Sequence, residues 1–210
     1  MFFAGETSPG SSKARMKIKK ALLVVDVQND FLPGGALGVP GGDIIVPVVN
    51  KYVRFFLKKK YPVLFTRDWH PVRTMHFRDF GGLWPAHCIQ GTRGAAFHPM
   101  LKVPKEAILL YKGMDPGQDS YSAFHSEDAS GRSLSKILNV LGTQELYIAG
   151  LATDYCVKYS SLDALKKGLR VRVLVDAVKG VDLKPGDCER ALAAVVKTGA
   201  KKIKFKELKR

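Results

Sequence analysis

The chain has 210 residues, enough for one domain with a substantial core, and 46% of them are hydrophobic and 25% charged, as in ordinary globular proteins. No apolar run approaches the roughly 20 residues that cross a bilayer, so we expect no membrane association. The net charge of +15 lies mostly in residues 1–20 and 197–210, and no RNP, helix-turn-helix or zinc-finger pattern accompanies it, so we expect no specific nucleic-acid partner.

The predicted elements alternate between strands and helices. Residues 1–16 are rich in Gly, Ser and Pro and predict a disordered N-terminal extension. Short apolar segments predict six strands, at residues 21–26, 62–67, 107–111, 146–149, 171–175 and 201–205. Amphipathic or proline-opened segments predict four helices, at residues 43–59, 134–141, 155–167 and 185–197. This pattern predicts one α/β domain over residues 17–206, an open parallel six-stranded sheet with helices on both faces, followed by a basic tail at 207–210.

Two long segments without regular patterning, residues 68–105 and 112–132, follow the second and third predicted strands. Loops of this length in a compact domain are usually functional, and open α/β sheets bind ligands at the carboxyl ends of their strands. Phe31, Trp84 and Tyr121 lie in loops near this edge. They predict a flat apolar pocket, although such residues are more often part of a core.

One cysteine has a setting typical of a nucleophile. Cys156 follows an apolar strand, a glycine and two good N-cap residues, Thr153 and Asp154, which places it in the first turn of a predicted helix. Free N–H groups and the helix dipole favour a thiolate there. The alternative for Cys156 is a small buried hydrophobic residue. Cys88 and Cys188 have no comparable setting, and we interpret both as structural. Three cysteines predict no disulfide framework and therefore a reducing, cytoplasmic setting, which is also compatible with the nucleus.

Two charged residues at other strand ends could meet this thiol. Asp26 closes the first predicted strand and Lys112 follows the third, and the carboxyl ends of parallel strands lie at one edge of a sheet. Taken alone, Asp26 is equally well explained as an acid that caps the next turn, and Lys112 as a solvated lysine. Together, Asp26 could accept the thiol proton and Lys112 could stabilise the thiolate.

The segment after the second strand combines a carboxylate with three histidines. The candidate metal ligands are Asp68, His70, His76 and His87. The first two are spaced i, i+2, which puts both side chains on one face of a strand. This set predicts one divalent metal ion, with zinc expected and iron or manganese as alternatives. We assign His98 and His125 to the surface, the usual place of a single loop histidine.

Four motifs together resemble the nicotinamidase/pyrazinamidase family of isochorismatase-like cysteine hydrolases. They are DVQNDF at 26–31 with GGAL at 34–37, TRDWH at 66–70 with HF at 76–77 and WPAHC at 84–88, KG at 112–113 with DSYSAF at 119–124, and GLATDYCV at 150–157. The resemblance extends over about residues 20–205 and leaves both tails outside it. It implies an isochorismatase-like hydrolase fold and an amidase that converts nicotinamide to nicotinate and ammonia through a cysteine thioester, in NAD salvage.

The resemblance also implies roles for individual residues. The implied catalytic triad is Asp26, Lys112 and Cys156. A cis peptide bond at Leu151–Ala152 is implied to aim the N–H groups of Ala152 and Cys156 into an oxyanion hole. The metal is implied to orient the pyridine ring, and His76 is the ligand position that varies within the family. The implied ring pocket is lined by Phe31, Leu37, Trp84 and Tyr121.

Other functions on the same scaffold stay open at this point. An isochorismatase acts on a dianion and needs no ring-orienting metal, so Asp68, His70 and His87 argue against it. Another amidase, acting on a carbamoyl amide or a pyrazinamide-type substrate, would keep the triad, but a carbamoyl amide hydrolase should lack this metal set. A binding protein on an inactive scaffold would have a broken triad, whereas the triad here is intact. A homo-oligomer is compatible with the sequence.

Overall fold

Residues 19–118 and 120–208 are described by a computed structural model of the chain. The predicted N-terminal extension at residues 1–16 lies outside them, as do Asp119 and residues 209–210. The six strands are Lys20–Val25 (β1), Val63–Asp68 (β2), Ile108–Lys112 (β3), Glu145–Leu151 (β4), Arg170–Lys179 (β5) and Lys201–Ile203 (β6). The α-helices of this part of the chain are Val46–Lys58 (α1), Leu134–Val140 (α2), Lys158–Lys166 (α3), Asp187–Lys197 (α4) and Phe205–Leu208 (α5).

The strands form one parallel sheet in the order β3-β2-β1-β4-β5-β6. From β1 the chain first builds one half of the sheet, with β2 and β3, and then returns to the other side of β1 to build the second half. Such a switch point opens a crevice at the carboxyl ends of the central strands. The predicted open, parallel, six-stranded sheet is confirmed, and its crevice lies beyond the ends of β1 and β4.

Helices cover both faces of the sheet, and for this reason the two central strands are largely apolar after their first residues, Lys20 in β1 and Glu145 in β4. In β1, Leu22 and Val24 belong to the core beneath α1, whereas Leu23 and Val25 belong to the core beneath α2, α3 and α4. Successive side chains of a strand point to opposite faces, so a strand between two helical layers needs an apolar residue at every position. The described helices include none long and apolar enough to cross a membrane.

The last strands differ from their predicted limits. The strand predicted at 201–205 ends at Ile203, because the N–H of Phe205 donates to Asp176 Oδ2 at 2.9 Å and α5 begins there. This short helix crosses the predicted end of the domain, and the domain limits 17–206 stay a prediction. β5 continues to Lys179, well beyond the predicted strand at 171–175, after a register shift in its pairing with β4. The extension carries the chain that follows β5 to the carboxyl edge of the sheet.

β4 approaches β1 very closely at Gly150, which has a φ of 111°. A Cβ atom at this position would collide with the backbone oxygen and nitrogen of Val25. Glycine is therefore required here for two reasons, its backbone conformation and the space that it leaves.

We expect Gly150→Ala to lower the free energy of unfolding by about 3 kcal/mol or more, because overpacking adds to the cost of the positive φ. Gly168→Ala is the matched control, since Gly168 also has a positive φ (78°) but an added Cβ would meet nothing within 4 Å. Its expected cost is about 1–2 kcal/mol. Urea unfolding measures both variants, and equal losses would contradict the requirement for space at Gly150.

Candidate active site

The backbone of β1 leaves the sheet at Asp26, whose φ is 49°. The carboxyl group is buried: Oδ1 accepts a hydrogen bond from the Thr66 hydroxyl at 2.7 Å, and Oδ2 lies 2.9 Å from Lys112 Nζ. Burial raises the pKa of Asp26 by more than the Lys112 ammonium lowers it. Asp26 is therefore a stronger base than an exposed carboxylate, and its side chain faces Lys112 instead of capping the next turn.

Lys112 is the last residue of β3, and its side chain is completely buried. Its ammonium group contacts the carboxylates of Asp26 and Asp68 and lies 3.6 Å from Cys156 Sγ. Burial alone would lower the pKa of Lys112, but the two carboxylates outweigh burial and hold that pKa well above its usual value. The alternative of a solvated surface lysine is thus wrong, and a permanent positive charge lies at the centre of the site.

Cys156 lies in a π-helical turn, Thr153–Val157, and the α-helix predicted from residue 155 begins only afterwards, as α3. The reason is that the carbonyl of Ala152 accepts a hydrogen bond from the N–H of Val157, five residues on, at 3.1 Å. The expected N-cap role of Asp154 is also wrong. Its carboxylate instead accepts hydrogen bonds from two backbone N–H groups of the loop that follows β5.

The thiol of Cys156 is buried, and burial raises its pKa well above the usual value. The Lys112 ammonium opposes this shift, whereas Asp26 and Asp68 add to it. The prediction that the helix start favours a thiolate does not hold for the resting site, where burial and the two carboxylates keep the pKa of Cys156 raised despite the Lys112 ammonium. The thiol keeps its proton at neutral pH and needs a base, and a carboxylate oxygen of Asp26 lies within 4.8 Å of Sγ.

Asp68, His70 and His87 form a buried group whose ligand atoms all lie within 4.8 Å of one another. Nδ1 of His70 lies 2.9 Å from the carbonyl oxygen of Gly113, and Nδ1 of His87 lies 2.7 Å from that of Pro85. Carbonyl oxygens only accept hydrogen bonds, so each Nδ1 carries a proton and Nε2 is the ring nitrogen left to face a metal. Burial also lowers the pKa of His87, which keeps its ring neutral. These three side chains fit a divalent ion such as zinc.

Asp68 takes part in a second group as well, with Asp26 and Cys156. Here the ammonium of Lys112 already contacts all three side chains and supplies the positive charge. Burial raises the pKa of Asp68, but Lys112 and the nearby histidines outweigh burial and hold this pKa below its usual range. The candidate metal ligands thus lie on the histidine side of Asp68, and the ammonium lies on the other side.

His76 lies beside this group but is not one of its three members. Its ring centroid is 4.9 Å from that of His70, and its Nε2 lies 2.7 Å from the carbonyl oxygen of Gln118. The side chain is buried and lines the same cavity as the other ligands. A role of His76 as a metal ligand stays a prediction.

A cavity of about 50 Å³ connects the cysteine with the metal ligands. It has room for roughly three to five water molecules. All four residues predicted for the ring pocket line it, namely Phe31, Leu37, Trp84 and Tyr121. The indole N–H of Trp84 donates to the hydroxyl of Tyr121 at 2.8 Å, so two distant loops form one wall.

Several lining residues were missed from the sequence. They are Val39, Ser120, Leu151, Tyr155 and Val181. Leu151 and Tyr155 belong to the cysteine motif, and their positions next to the nucleophile could have identified them. Val181 has no local signal, because it reaches the cavity only through the extension of β5. The implied oxyanion-hole residues, Ala152 and Cys156, both line the cavity, and the peptide bond Leu151–Ala152 is cis as the resemblance implied.

A parallel α/β sheet whose central crevice holds a buried cysteine, lysine and aspartate defines the class of cysteine-dependent hydrolases. The chain belongs to the isochorismatase family, because the family model described as "Isochorismatase domain" matches residues 20–204. The resemblance of the four motifs to this family is thereby confirmed.

Two relatives and one solved structure indicate which members of the family this chain is similar to. The chain is 39% identical over 197 residues to the nicotinamidase of Escherichia coli, covering 86% of this chain and 92% of that protein. It is 39% identical over 165 residues to the nicotinamidase/pyrazinamidase of Mycobacterium tuberculosis, covering 77% and 87%. The crystal structure of the pyrazinamidase of Pyrococcus horikoshii in complex with zinc superimposes with a TM-score of 0.82 at 47% identity, covering 89% of this chain and 99% of that one.

We expect Lys112→Met to lower the free energy of unfolding by about 3–5 kcal/mol, because it leaves two buried carboxylates without their cation. Lys166→Met is the control, since the Lys166–Asp163 pair is exposed at the surface, and we expect it to cost less than about 1 kcal/mol. Urea unfolding compares the two variants. A Lys112→Met protein as stable as the parent would contradict the central role of this ammonium.

We expect the purified protein to bind one zinc ion and His70→Ala to lose it, because the variant removes one of three ligands. His125→Ala is the control, since this histidine is exposed and lies outside the ligand group. Zinc per chain is measured by elemental analysis after dialysis. Equal zinc content in both variants would disprove the assignment of the metal ligands.

Proposed function

We propose that the protein is a nicotinamidase, an amidohydrolase that converts nicotinamide and water to nicotinate and ammonia and so serves NAD salvage. The observation that carries this proposal is the position of the Cys156 thiol. It contacts Lys112, lies within reach of Asp26, and opens onto a cavity lined by aromatic side chains beside three potential metal ligands. The similarity to nicotinamidases over most of the chain supports the same reaction.

In the first step, Asp26 acts as the general base for Cys156. Because the thiol keeps its proton at neutral pH, the proton must leave as sulfur attacks, and the raised pKa of Asp26 suits this transfer. The ammonium of Lys112 holds the Asp26 carboxylate in place and stabilises the negative charge that develops on sulfur.

The thiolate then attacks the amide carbon of the substrate. We assign the N–H groups of Ala152 and Cys156 to the oxyanion hole that stabilises the tetrahedral intermediate. Asp26 returns its proton to the amide nitrogen, the C–N bond breaks, and ammonia leaves a thioester on Cys156. Water, activated by Asp26, attacks this thioester, the C–S bond breaks, and the proton goes back to the thiolate as nicotinate leaves.

The metal site is proposed to select the pyridine ring. Asp68, His70 and His87 would hold the ion, with zinc favoured by the nitrogen and oxygen ligands and iron or manganese as alternatives. When bound, the ion supplies a Lewis acid for the ring nitrogen. The chain's own contribution is an apolar slot, in which Phe31 and Leu37 pack against the ring and exclude water from it.

The second candidate is an amidase that acts on a carbamoyl amide. Two observations favour the ring substrate over it. The lining of the cavity is mainly aromatic and aliphatic, whereas a carbamoyl group needs several polar partners, and three metal ligands adjoin the cavity. We also infer a reducing compartment such as the cytoplasm, because the thiols of Cys88, Cys156 and Cys188 are all free.

We expect Cys156→Ala to reduce ammonia release from nicotinamide by on the order of 10⁴-fold or more, because no other group can form the thioester. Cys188→Ala is the matched control and should retain full activity, since this cysteine does not line the cavity. Ammonia is measured with nicotinamide, pyrazinamide and a carbamoyl amide. Turnover by Cys156→Ala would disprove the mechanism, and a preference for the carbamoyl amide would favour the second candidate.

A further inference from the structure

We propose that Gln28 and Asp30, which lie in the turn after β1, are positioning residues of the metal site. Neither is a metal ligand, but their side chains hold the backbone segments that carry Asp68, His70 and His87. This inference rests on the metal site that belongs to the proposed function. It explains how two separate segments of the chain keep their three candidate ligands in place relative to one another.

Gln28 replaces a missing piece of β1. In a parallel pair the backbone of β1 would continue beside β2 up to its last residue, Asp68, but β1 leaves the sheet at Asp26. The side-chain amide of Gln28 takes the vacant place. Its Oε1 accepts a hydrogen bond from the N–H of Asp68 at 2.8 Å, and its Nε2 donates to the carbonyl oxygen of Asp68 at 2.8 Å. In a parallel sheet, the backbone of a neighbouring strand would make these two bonds with two successive peptide groups, and the single amide of Gln28 makes both.

The side-chain amide of Gln28 cannot rotate freely. Its Nε2 also donates to the carbonyl oxygen of Ala95 at 2.9 Å, and the residue is completely buried. A buried amide whose donors and acceptor are all engaged is held in one orientation, because any rotation would leave polar atoms unpaired. The backbone of Asp68 is therefore fixed from both sides, by Gln28 on one edge and by β3 on the other.

Asp30 performs the same task for the two histidines. Its Oδ2 accepts a hydrogen bond from the N–H of Cys88 at 2.7 Å, and the carbonyl of Cys88 accepts one from the N–H of His70 at 3.0 Å. Cys88 directly follows His87 and has a φ of 47°, a conformation that a non-glycine residue adopts only when it is held there. The carboxylate of Asp30 thus fixes the peptide group that joins His87 to Cys88. The hydrogen bond from the His70 N–H to the Cys88 carbonyl then holds the backbone of His70 to the same residue.

Asp30 is tightly packed against the backbone at Gly94. The N–H of Asp30 donates to the carbonyl oxygen of Gly94 at 3.0 Å, and a Cβ atom at Gly94 would collide with the Asp30 carboxylate. Metal ligands bind well only when they are held close to the ideal geometry, and loss of an outer partner typically costs 10–100-fold in metal affinity. Gln28 and Asp30 have the contacts of such outer partners.

The experiment measures zinc affinity of the purified full-length chain by competition with a chelator of known affinity. We expect Gln28→Met and Asp30→Asn each to weaken zinc binding by about 10–100-fold. Gln144→Met and Asp43→Asn are the matched controls and should stay within about twofold of the parent. Gln144 is exposed and lies directly before β4, where its side-chain oxygen accepts a hydrogen bond from the N–H of Lys19 at 3.3 Å, and Asp43 is exposed.

Thermal unfolding of the metal-free proteins separates positioning from general stability. A merely structural role would lower the melting temperature and leave the zinc affinity of the folded variant unchanged, and that result would overturn the proposal. If Gln28→Met does not fold, Asp30→Asn decides the question by the same two measurements. Because zinc binding is measured without substrate, a parent protein that fails to hydrolyse nicotinamide would contradict the proposed function alone.

Discussion

The site depends on one ammonium group, that of Lys112. Two carboxylates, Asp26 and Asp68, and the thiol of Cys156 converge in a space that excludes water, where unpaired negative charges would be strongly unfavourable. The ammonium contacts all three groups and keeps its proton because of them. Since Asp26 lies beside the thiol and Asp68 beside the histidines, the same cation joins the two halves of the site.

The second constraint is the way in which β1 ends. The backbone turns away at Asp26 and leaves the crevice between β2 and β4 open, so that loops and side chains can fill it. This departure removes a strand neighbour from Asp68, and a side chain must replace it. The few residues that follow β1 consequently serve three needs: Asp26 faces the thiol, Gln28 completes the edge of β2, and Phe31 lines the cavity.

Burial sets the chemistry of the resting site. A thiol that is kept protonated by its surroundings is protected from oxidation and from unwanted metals, because the thiolate is the reactive form. The same burial raises the pKa of Asp26, as its proposed role as the base for Cys156 requires. One buried environment thus raises the pKa of both groups, and Nε2 of His70 lies 3.8 Å from Asp68 Oδ2 on the other side of the lysine.

The sequence by itself determined the sheet, the edge that carries the site and the residues that meet there. The strands can be recognised in the sequence because burial on both faces requires continuous apolar runs. Strand-end residues such as Asp26 and Lys112 can be recognised because parallel strands end at one edge of the sheet. Only the tertiary structure decided that Cys156 keeps its proton and that Lys112 contacts two carboxylates at once. It also decided that Gln28 bonds the backbone of Asp68 and that Val181 lines the cavity. These features depend on distances between segments far apart in the chain and on the water that their packing excludes, and no local pattern of residues records either.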